Sequence, residues 1–132
     1  MRTVSMIAFL VLLAAVCGAQ EIYYVSTRGD NASPGTSSLP WQTVQYGLNR
    51  LTAGDTLRVM AGVYNEKVRV DVSGTPANVV TVRSHGDGEV VLDGTGITTT
   101  EPIVAIYSRS HVVLNGFTVA NNQMADAQGI LV

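Results

Sequence analysis

The sequence predicts an all-β solenoid whose N-terminal end is covered by one amphipathic helix. Short runs rich in Val, Ile and Thr follow residue 55, and turn-like segments separate them. The words VVLDG (90–94) and VVLNG (112–116) nearly repeat each other at a distance of 112 − 90 = 22 residues. A repeat of about 20 to 30 residues suits a solenoid in which each coil lays its strands parallel on the coil below. A sandwich built from the same strands is the alternative fold.

Residues 1–19 are predicted to be a secretory signal peptide. A short basic start precedes an almost unbroken apolar run over residues 4–16, and small residues follow as far as Ala19. The run is shorter than the roughly 20 residues that a membrane-spanning helix needs. Cleavage after Ala19 would leave a secreted domain of residues 20–132, comprising the cap and the first coils. An uncleaved anchor and a lipoprotein modified at Cys17 are the alternatives.

Composition and charge indicate an exported β protein and exclude nucleic acid as a partner class. The whole chain has eight Lys and Arg against ten Asp and Glu, a formal net charge of −2. Loss of Arg2 with the signal peptide leaves 7 − 10 = −3. Such a mild acidic balance, mixed in sign along the chain, does not suit a polyanionic nucleic acid. The single Cys17 is also lost on cleavage, so packing has to stabilise the domain.

Before residue 55 we expect one strand, one ordered loop and one helix. Residues 22–26 (IYYVS) are rich in β-branched and aromatic residues, and Gly, Asp, Asn and Pro punctuate the loop after them. Residues 41–51 show apolar side chains at helical spacing, with Pro40 at the start and Gly54 at the end. This helix is expected to cap the solenoid, because an exposed end of such a fold needs a cover. Its apolar face consists of Trp41, Val44, Leu48 and Leu51.

Six strands are predicted after Gly54, with turn-like breaks between them. They cover residues 56–60, 67–72, 79–83, 89–92, 103–107 and 112–119. The second strand alternates strictly, so that Val68 and Val70 face one way while Lys67 and Arg69 face the other. We interpret the segment AGVYNE (61–66) as a turn.

The 22-residue spacing predicts which positions of neighbouring coils stack. It aligns apolar side chains with apolar side chains, and each glycine allows a corner of the coil. The last residues, GILV (129–132), indicate a strand that has only begun, so the solenoid is expected to be truncated at its C-terminus. The predicted stacked pairs are Val90 over Val112, Leu92 over Leu114, Asp93 over Asn115 and Gly94 over Gly116.

Three motifs within residues 22–120 carry a resemblance to known proteins. They are AGDT (53–56), GVY (62–64) and SGTPAN (73–78). The segment resembles the N-terminal portion of secreted right-handed parallel β-helix proteins of the pectin-lyase-like superfamily. It is similar in particular to pectate lyases, alginate lyases and chondroitinase-B-like enzymes. The resemblance implies a right-handed parallel β-helix.

The resemblance also implies a function and a cofactor. In such lyases a groove on one sheet binds an acidic polysaccharide, a calcium ion held by carboxylates neutralises the uronate, and Lys or Arg removes the adjacent proton. Those groups sit in central coils, which the resemblance places beyond Val132. No catalytic residue and no calcium ligand is therefore assigned to this chain. The full-length protein is expected to be a monomer without membrane contact after signal cleavage.

The predicted function is that of a part of a secreted polysaccharide lyase acting by β-elimination on a polymer such as pectate. Glycoside hydrolysis is one alternative and needs two carboxylates facing one groove. A non-catalytic β-helix that binds glycans or builds a surface layer is another, because the backbone serves both classes. As an incomplete gene product, the fragment alone would be inactive.

Basic side chains on successive strands are the candidate substrate-binding residues. Arg58, Arg69 and Arg83, with Lys67 beside them, are predicted to face outward and to form one strip for a uronate chain. Guanidinium groups pair well with carboxylates. The alternative is a solvated face with ordinary strand charges.

Other polar residues favour structural roles. Asp87, Glu89 and Asp93 lie within seven residues and carry oxygen ligands of the kind that calcium prefers, but a turn-forming role fits Asp87 better, so no metal ligand is assigned. We expect Asp55 to stabilise the corner between helix and strand. His85 is interpreted as a turn or surface residue. The amide of Asn121 is expected to bond to backbone of the neighbouring coil.

Overall fold

The structure is a computed structural model, and it describes residues 19–98, 100–123 and 130–131. The predicted signal peptide lies outside the described residues except for Ala19. Within them, no helix has the length and apolarity needed to cross a membrane. The elements in chain order are β1 (Ile22–Val25), α1 (Val44–Leu48), β2 (Thr56–Val59), β3 (Gly62–Tyr64), β4 (Val68–Val70), β5 (Val80–Ser84), β6 (Val90–Asp93), β7 (Val104–Ile106), β8 (Val112–Asn115), β9 (Phe117–Ala120) and β10 (Ile130–Leu131).

The described strands form three sheets in which all neighbouring strands are parallel. Sheet one has the order β1-β2-β5-β8, sheet two β3-β6-β9 and sheet three β4-β7-β10. From β2 onward the chain passes through sheets one, two and three in turn, and it makes this circuit three times. The fold is therefore nearly all-β and parallel. It is consistent with a parallel β-helix-like fold and differs from the sandwich alternative, whose sheets are antiparallel.

The pairing shows that the two repeated words do not stack on each other. VVLD forms β6 in sheet two, whereas VVLN forms β8 in sheet one. Val90 pairs with Phe117, and Val112 pairs with Val80. A full coil contains three strands and their turns, so the repeat runs from 81 − 56 = 25 to 104 − 68 = 36 residues. The predicted pairs are therefore wrong for Val90 with Val112, Leu92 with Leu114, Asp93 with Asn115 and Gly94 with Gly116.

The glycines that end the two words are needed for different reasons. Gly116 has a φ of 82°, a left-handed conformation that L side chains rarely adopt, and it turns the chain from β8 into β9. A Cβ on Gly94 would lie 2.5 Å from the carbonyl oxygen of Asn121. The corner at Gly116 divides the predicted strand 112–119 into two strands. A further correction is β3, which lies in the segment 61–66 that we interpreted as a turn.

Inward-facing side chains of successive coils stack in the core. Leu57 of β2 pairs with Val82 of β5, and neither is exposed to solvent. The alternation predicted around β4 is confirmed, because Val68 and Val70 are buried and the intervening Arg69 is exposed. A strand with one apolar face thus contributes every second residue to the same core.

The helix is shorter than predicted because Trp41 belongs to the sheet. Trp41 forms a parallel bridge with Val25. Its backbone N donates to the carbonyl oxygen of Tyr24, and its carbonyl oxygen accepts from Ser26 N, both at 2.9 Å. Because these bonds require extended backbone, α1 begins only after Thr43, whose hydroxyl accepts a hydrogen bond from the first turn. The loop before α1 therefore covers the free edge of β1.

Gln45 joins the helix to the first coil. Its Oε1 accepts from the backbone N of Arg69 at 2.6 Å, and its Nε2 donates to the carbonyl oxygen of Arg69 at 3.1 Å. The side-chain amide thus takes the place of a neighbouring strand at this edge of β4. Val44 and Leu48 of α1 are buried in the core, so the helix closes the end of the first coil as a cap.

Asp55 stabilises the corner before β2, as predicted. Its side chain is 3% exposed and accepts three hydrogen bonds. Oδ1 accepts from Glu21 N at 3.1 Å, while Oδ2 accepts from Thr52 N at 2.7 Å and from Thr52 Oγ1 at 2.9 Å. The carboxylate therefore satisfies backbone donors from both sides of the cap.

Replacing Glu66 by Gln is expected to flatten the pH dependence of stability. Burial raises the pKa of the Glu66 carboxyl, although backbone N–H groups of Gln45 and Val44 donate to it and act in the opposite direction. Because the folded pKa lies above the unfolded value of about 4.3, the stabilising contribution is complete below that pH and is lost as the pH rises through the folded pKa.

The test compares urea unfolding of the wild type and the Glu66→Gln variant across this window. The free energy of unfolding of the variant, minus that of the wild type, should rise with pH. Other titrating groups are present in both proteins, so the difference isolates Glu66. A difference that does not change with pH would contradict the prediction.

Candidate functional site

Two rows of outward-facing side chains cross sheet one in register. The first row consists of Ile22, Thr56, Thr81 and Val113. The second, which we call the arginine row, consists of Tyr24, Arg58, Arg83 and Asn115. Each member is the register partner of the next, so both rows run across the strands. The arginine row spans about 14 Å, or three strand spacings of about 4.8 Å.

Alternation along the strands directs the arginine row outward. Leu57 and Val59 flank Arg58 and are buried, as is Val82 beside Arg83. Arg58 itself is half-buried, whereas Arg83 is exposed. The buried residues beside them therefore direct both arginine side chains to the same face of neighbouring strands.

The arginine row carries uncompensated positive charge. Neither Arg58 nor Arg83 forms an ion pair with any residue that the structure describes. The Nε of Arg58 is buried and has no hydrogen-bond partner. Like charges at directly paired positions of neighbouring strands destabilise a sheet. The pair is therefore an electrostatic cost to the fold that a bound anion would offset.

Arg69 lies on a different sheet, so the predicted strip is not a single surface. Arg69 belongs to β4 in sheet three, whereas Arg58 and Arg83 belong to sheet one. Its Nε donates to Asp71 Oδ1 at 3.0 Å. Lys67, just before β4, is likewise engaged in an ion pair. Of the predicted substrate-binding residues, the structure brings together only Arg58 and Arg83.

An aromatic pair stands beside the two arginines. The rings of Tyr24 and His85 meet edge to face, with centroids 5.6 Å apart and an interplanar angle of 75°. The backbone N of His85 donates to the carbonyl oxygen of Val59 at 2.7 Å and so continues the pairing of β2 with β5. The Nδ1 of His85 is buried without a hydrogen-bond partner. His85 therefore packs against the arginine row through Tyr24. The interpretation of His85 as a turn or surface residue did not predict this contact.

Three residues of this site were not predicted from the sequence: Tyr24, His85 and Asn115. A signal for the register was nevertheless present. TLR (56–58) and TVR (81–83) repeat a threonine, an apolar residue and an arginine at a distance of 81 − 56 = 25 residues. That distance equals the offset between β2 and β5, and it would have paired the two arginines directly.

The acidic residues considered for calcium are engaged separately. Asp87 Oδ1 accepts from Ala61 N at 3.0 Å, and Glu89 Oε1 accepts from Thr118 Oγ1 at 2.9 Å. Among the residues with described positions, no three His, Cys, Asp or Glu side chains are grouped so as to hold a metal ion. Calcium needs six to eight oxygen ligands, so these residues do not fit a calcium ion.

Asp93 belongs to a corner held by two asparagines. Asn121 Nδ2 donates to Asp93 Oδ1 at 2.8 Å, and the backbone N and hydroxyl of Thr95 donate to the same oxygen. These hydrogen bonds, that from Asn121 above all, hold the pKa of the Asp93 carboxyl below its usual value. Asn65 Nδ2 donates to the carbonyl oxygens of Asp93 and Thr95 at 2.9 and 2.8 Å. The amide-to-backbone bond between coils is therefore made by Asn65, whereas the bond from Asn121 goes to a side chain.

The chain has relatives of known sequence. No protein-family model matches it. It is 30% identical over 92 residues to the pectate lyase PEL9 of Emericella nidulans, covering 68% of this chain and 22% of PEL9. The chain is similar to a pectate lyase. It is also 28% identical over 122 residues to the uncharacterised protein YwoF of Bacillus subtilis, covering 87% of this chain and 26% of YwoF. The chain thus spans about a quarter of the length of these two relatives.

Solved structures share the fold. A rhamnogalacturonan lyase superposes with a TM-score of 0.67 at 19% identity, covering 75% of this chain and 28% of that one. The GH136 lacto-N-biosidase of Eubacterium ramulus gives 0.68 at 20% identity, covering 82% and 22%. XylC, solved with xylose, is 30% identical with a TM-score of 0.53, covering 55% and 12%. The distant relatives that have a named activity are carbohydrate-active enzymes.

Proposed function

We propose that the chain is the N-terminal part of a secreted, right-handed parallel β-helix protein that degrades an acidic polysaccharide by β-elimination. This reaction removes the proton beside a uronate carboxylate and expels the glycosidic oxygen, which leaves an unsaturated sugar at the new chain end. The arginine row carries the proposal. It presents two unpaired guanidinium groups on the solvent face of a parallel sheet, and such groups pair strongly with carboxylates.

Three further observations support this proposal. The repeated circuit through three parallel sheets suits a β-helix, and crossovers between parallel strands are right-handed in about 98% of cases. The apolar N-terminal run suits export. The similarity to PEL9 covers two thirds of the chain. Calcium belongs to the proposal through the resemblance alone, and its carboxylate ligands would be residues other than those described.

The test is made on the protein purified from the medium of its native source. Its intact mass shows whether residues 20–132 are part of a longer chain, and its incubation with pectate is monitored for unsaturated uronide, with and without a chelator. We expect a longer chain and a product whose release stops when divalent cations are removed. A longer chain that releases no unsaturated uronide from any acidic polysaccharide tested would refute β-elimination.

Glycan binding without catalysis is the second candidate function. The arginine row is complete within the described residues, and binding a carboxylate needs no further group. On this alternative the secreted protein retains pectate in a pull-down and leaves its chain length unchanged. The products of the same incubation, separated by size, distinguish the two functions.

A further inference from the structure

We infer that Arg58 and Arg83 hold one carboxylate of an acidic glycan between them and that the ring of Tyr24 receives an adjoining sugar. This subsite rests on the proposed function, because it takes the same class of polymer. It lies on the first two coils, beside the cap. It binds and orients the glycan and takes no part in bond breaking.

The register places the two arginines on neighbouring strands, from which both side chains can reach one anion. Arg58 and Arg83 are direct partners on β2 and β5, and neighbouring strands lie about 4.8 Å apart. A carboxylate has two oxygens, and each can accept from a different guanidinium group. Both side chains leave the sheet on the same face, since their neighbours Leu57 and Val82 are buried. One carboxylate can therefore bridge the pair.

The charges of the site favour an anion. The carboxylates nearest in sequence to the two arginines have other hydrogen-bond partners: Asp55 accepts from Thr52, Asp87 from the backbone of Ala61 and Glu89 from Thr118. No described residue neutralises the two arginines. An entering carboxylate replaces their mutual repulsion with charge-assisted hydrogen bonds, which are stronger than those between neutral groups.

The aromatic end of the row is held in place before binding. Tyr24 is the register partner of Arg58, and its ring meets that of His85 edge to face. Both residues are half-buried, so their side chains have little freedom left to lose on binding. A ring fixed beside a pair of cations offers an apolar surface to one face of a sugar. The row then accommodates a glycan that runs across the strands.

Binding of a defined-length oligogalacturonate to the full chain tests the subsite. Arg83→Gln is expected to weaken binding about tenfold, the loss that follows from one charge-assisted hydrogen bond. The double variant Arg58→Gln with Arg83→Gln should weaken it further. The methyl ester of the same oligosaccharide, which lacks the carboxylate charge, should bind the wild type weakly. Arg69→Gln is the matched control, because it removes the same charge from sheet three and should leave binding unchanged.

Urea unfolding separates a binding role from a structural one. Arg83 is exposed and next to a like charge, so Arg83→Gln should keep or raise the unfolding midpoint while binding falls. Equal weakening by Arg69→Gln, or equal binding of the methyl ester, would overturn the subsite. The full-length Arg83→Gln protein provides a further test. If it releases unsaturated uronide with an unchanged Michaelis constant, the subsite is refuted and the lyase proposal stands. Charge-dependent binding at the row in a protein that releases no uronide would support the subsite and refute β-elimination.

Discussion

Replacing Leu57 by Ala is expected to lower the free energy of unfolding by about 2 to 5 kcal/mol. Leu57 is fully buried and pairs with Tyr23 on one side and Val82 on the other. Its two Cδ atoms lie so close to the helix that a Cβ on Gly47 would come within 2.9 Å of each. The cap and the first coil both pack on this side chain. Because β2 is held by strands on both sides, the cavity cannot close by backbone movement.

Val63→Ala is the control for this prediction. Val63 lies on β3, and its side chain is 59% exposed, so its truncation should change stability by no more than about 0.5 kcal/mol. Both variants are measured by urea unfolding at one pH. Similar losses in the two variants would show that the core is not organised around Leu57.

Replacing Gly29 by Ala is expected to destabilise the cap by about 3 kcal/mol, the upper end of the usual cost of overpacking. A Cβ at this position would lie 2.1 Å from the carbonyl oxygen of Trp41 and 2.6 Å from that of Pro40. The Trp41 oxygen cannot move away freely, because it accepts a hydrogen bond from Ser26. The loop that covers β1 would have to separate from the strand.

Tryptophan fluorescence measures this effect locally. Trp41 is the one tryptophan of the sequence, and its ring stacks on Tyr23 with centroids 4.8 Å apart. Gly29→Ala should therefore expose the indole at lower urea concentration. Gly86→Ala is the matched control: its φ of 91° makes alanine strained by about 1 kcal/mol, but no atom lies within 4 Å of the added Cβ. Equal shifts in the two variants would argue against the predicted clash.

The face of each strand could be predicted from the sequence, but the sheet to which it belongs could not. Alternation correctly assigned Arg58, Arg69 and Arg83 to the outside of their strands. Period two reports only whether a side chain points inward or outward. The turns between strands decide which of three directions is outward, and their lengths vary from coil to coil. Arg69 was therefore predicted to lie on one surface with Arg58 and Arg83, although its strand belongs to a different sheet.

Local propensity also had limits where tertiary pairing took precedence. Trp41 has helical spacing to Val44 and Leu48, yet its backbone completes the edge of β1. The segments VVLDG and VVLNG are similar because each forms a strand followed by a turn. The similarity does not indicate that the two segments pair with each other. Asp55 was predicted correctly because its role depends on residues close to one corner.

The circuit through three sheets has a consequence for how the protein acquires its structure. The strand β2 and all described strands from β5 onward pair with an earlier strand, and the paired residues lie 25 to 36 positions apart in the chain. Each coil after the first thus pairs with strands that are already synthesised, and in the first coil β1 provides the pairing partner of β2. Stability then accumulates from neighbour to neighbour along one dimension. A destabilising substitution in a coil near the C-terminal end affects that coil and those beside it. A destabilising substitution in the cap instead affects the edge on which the first pairing forms.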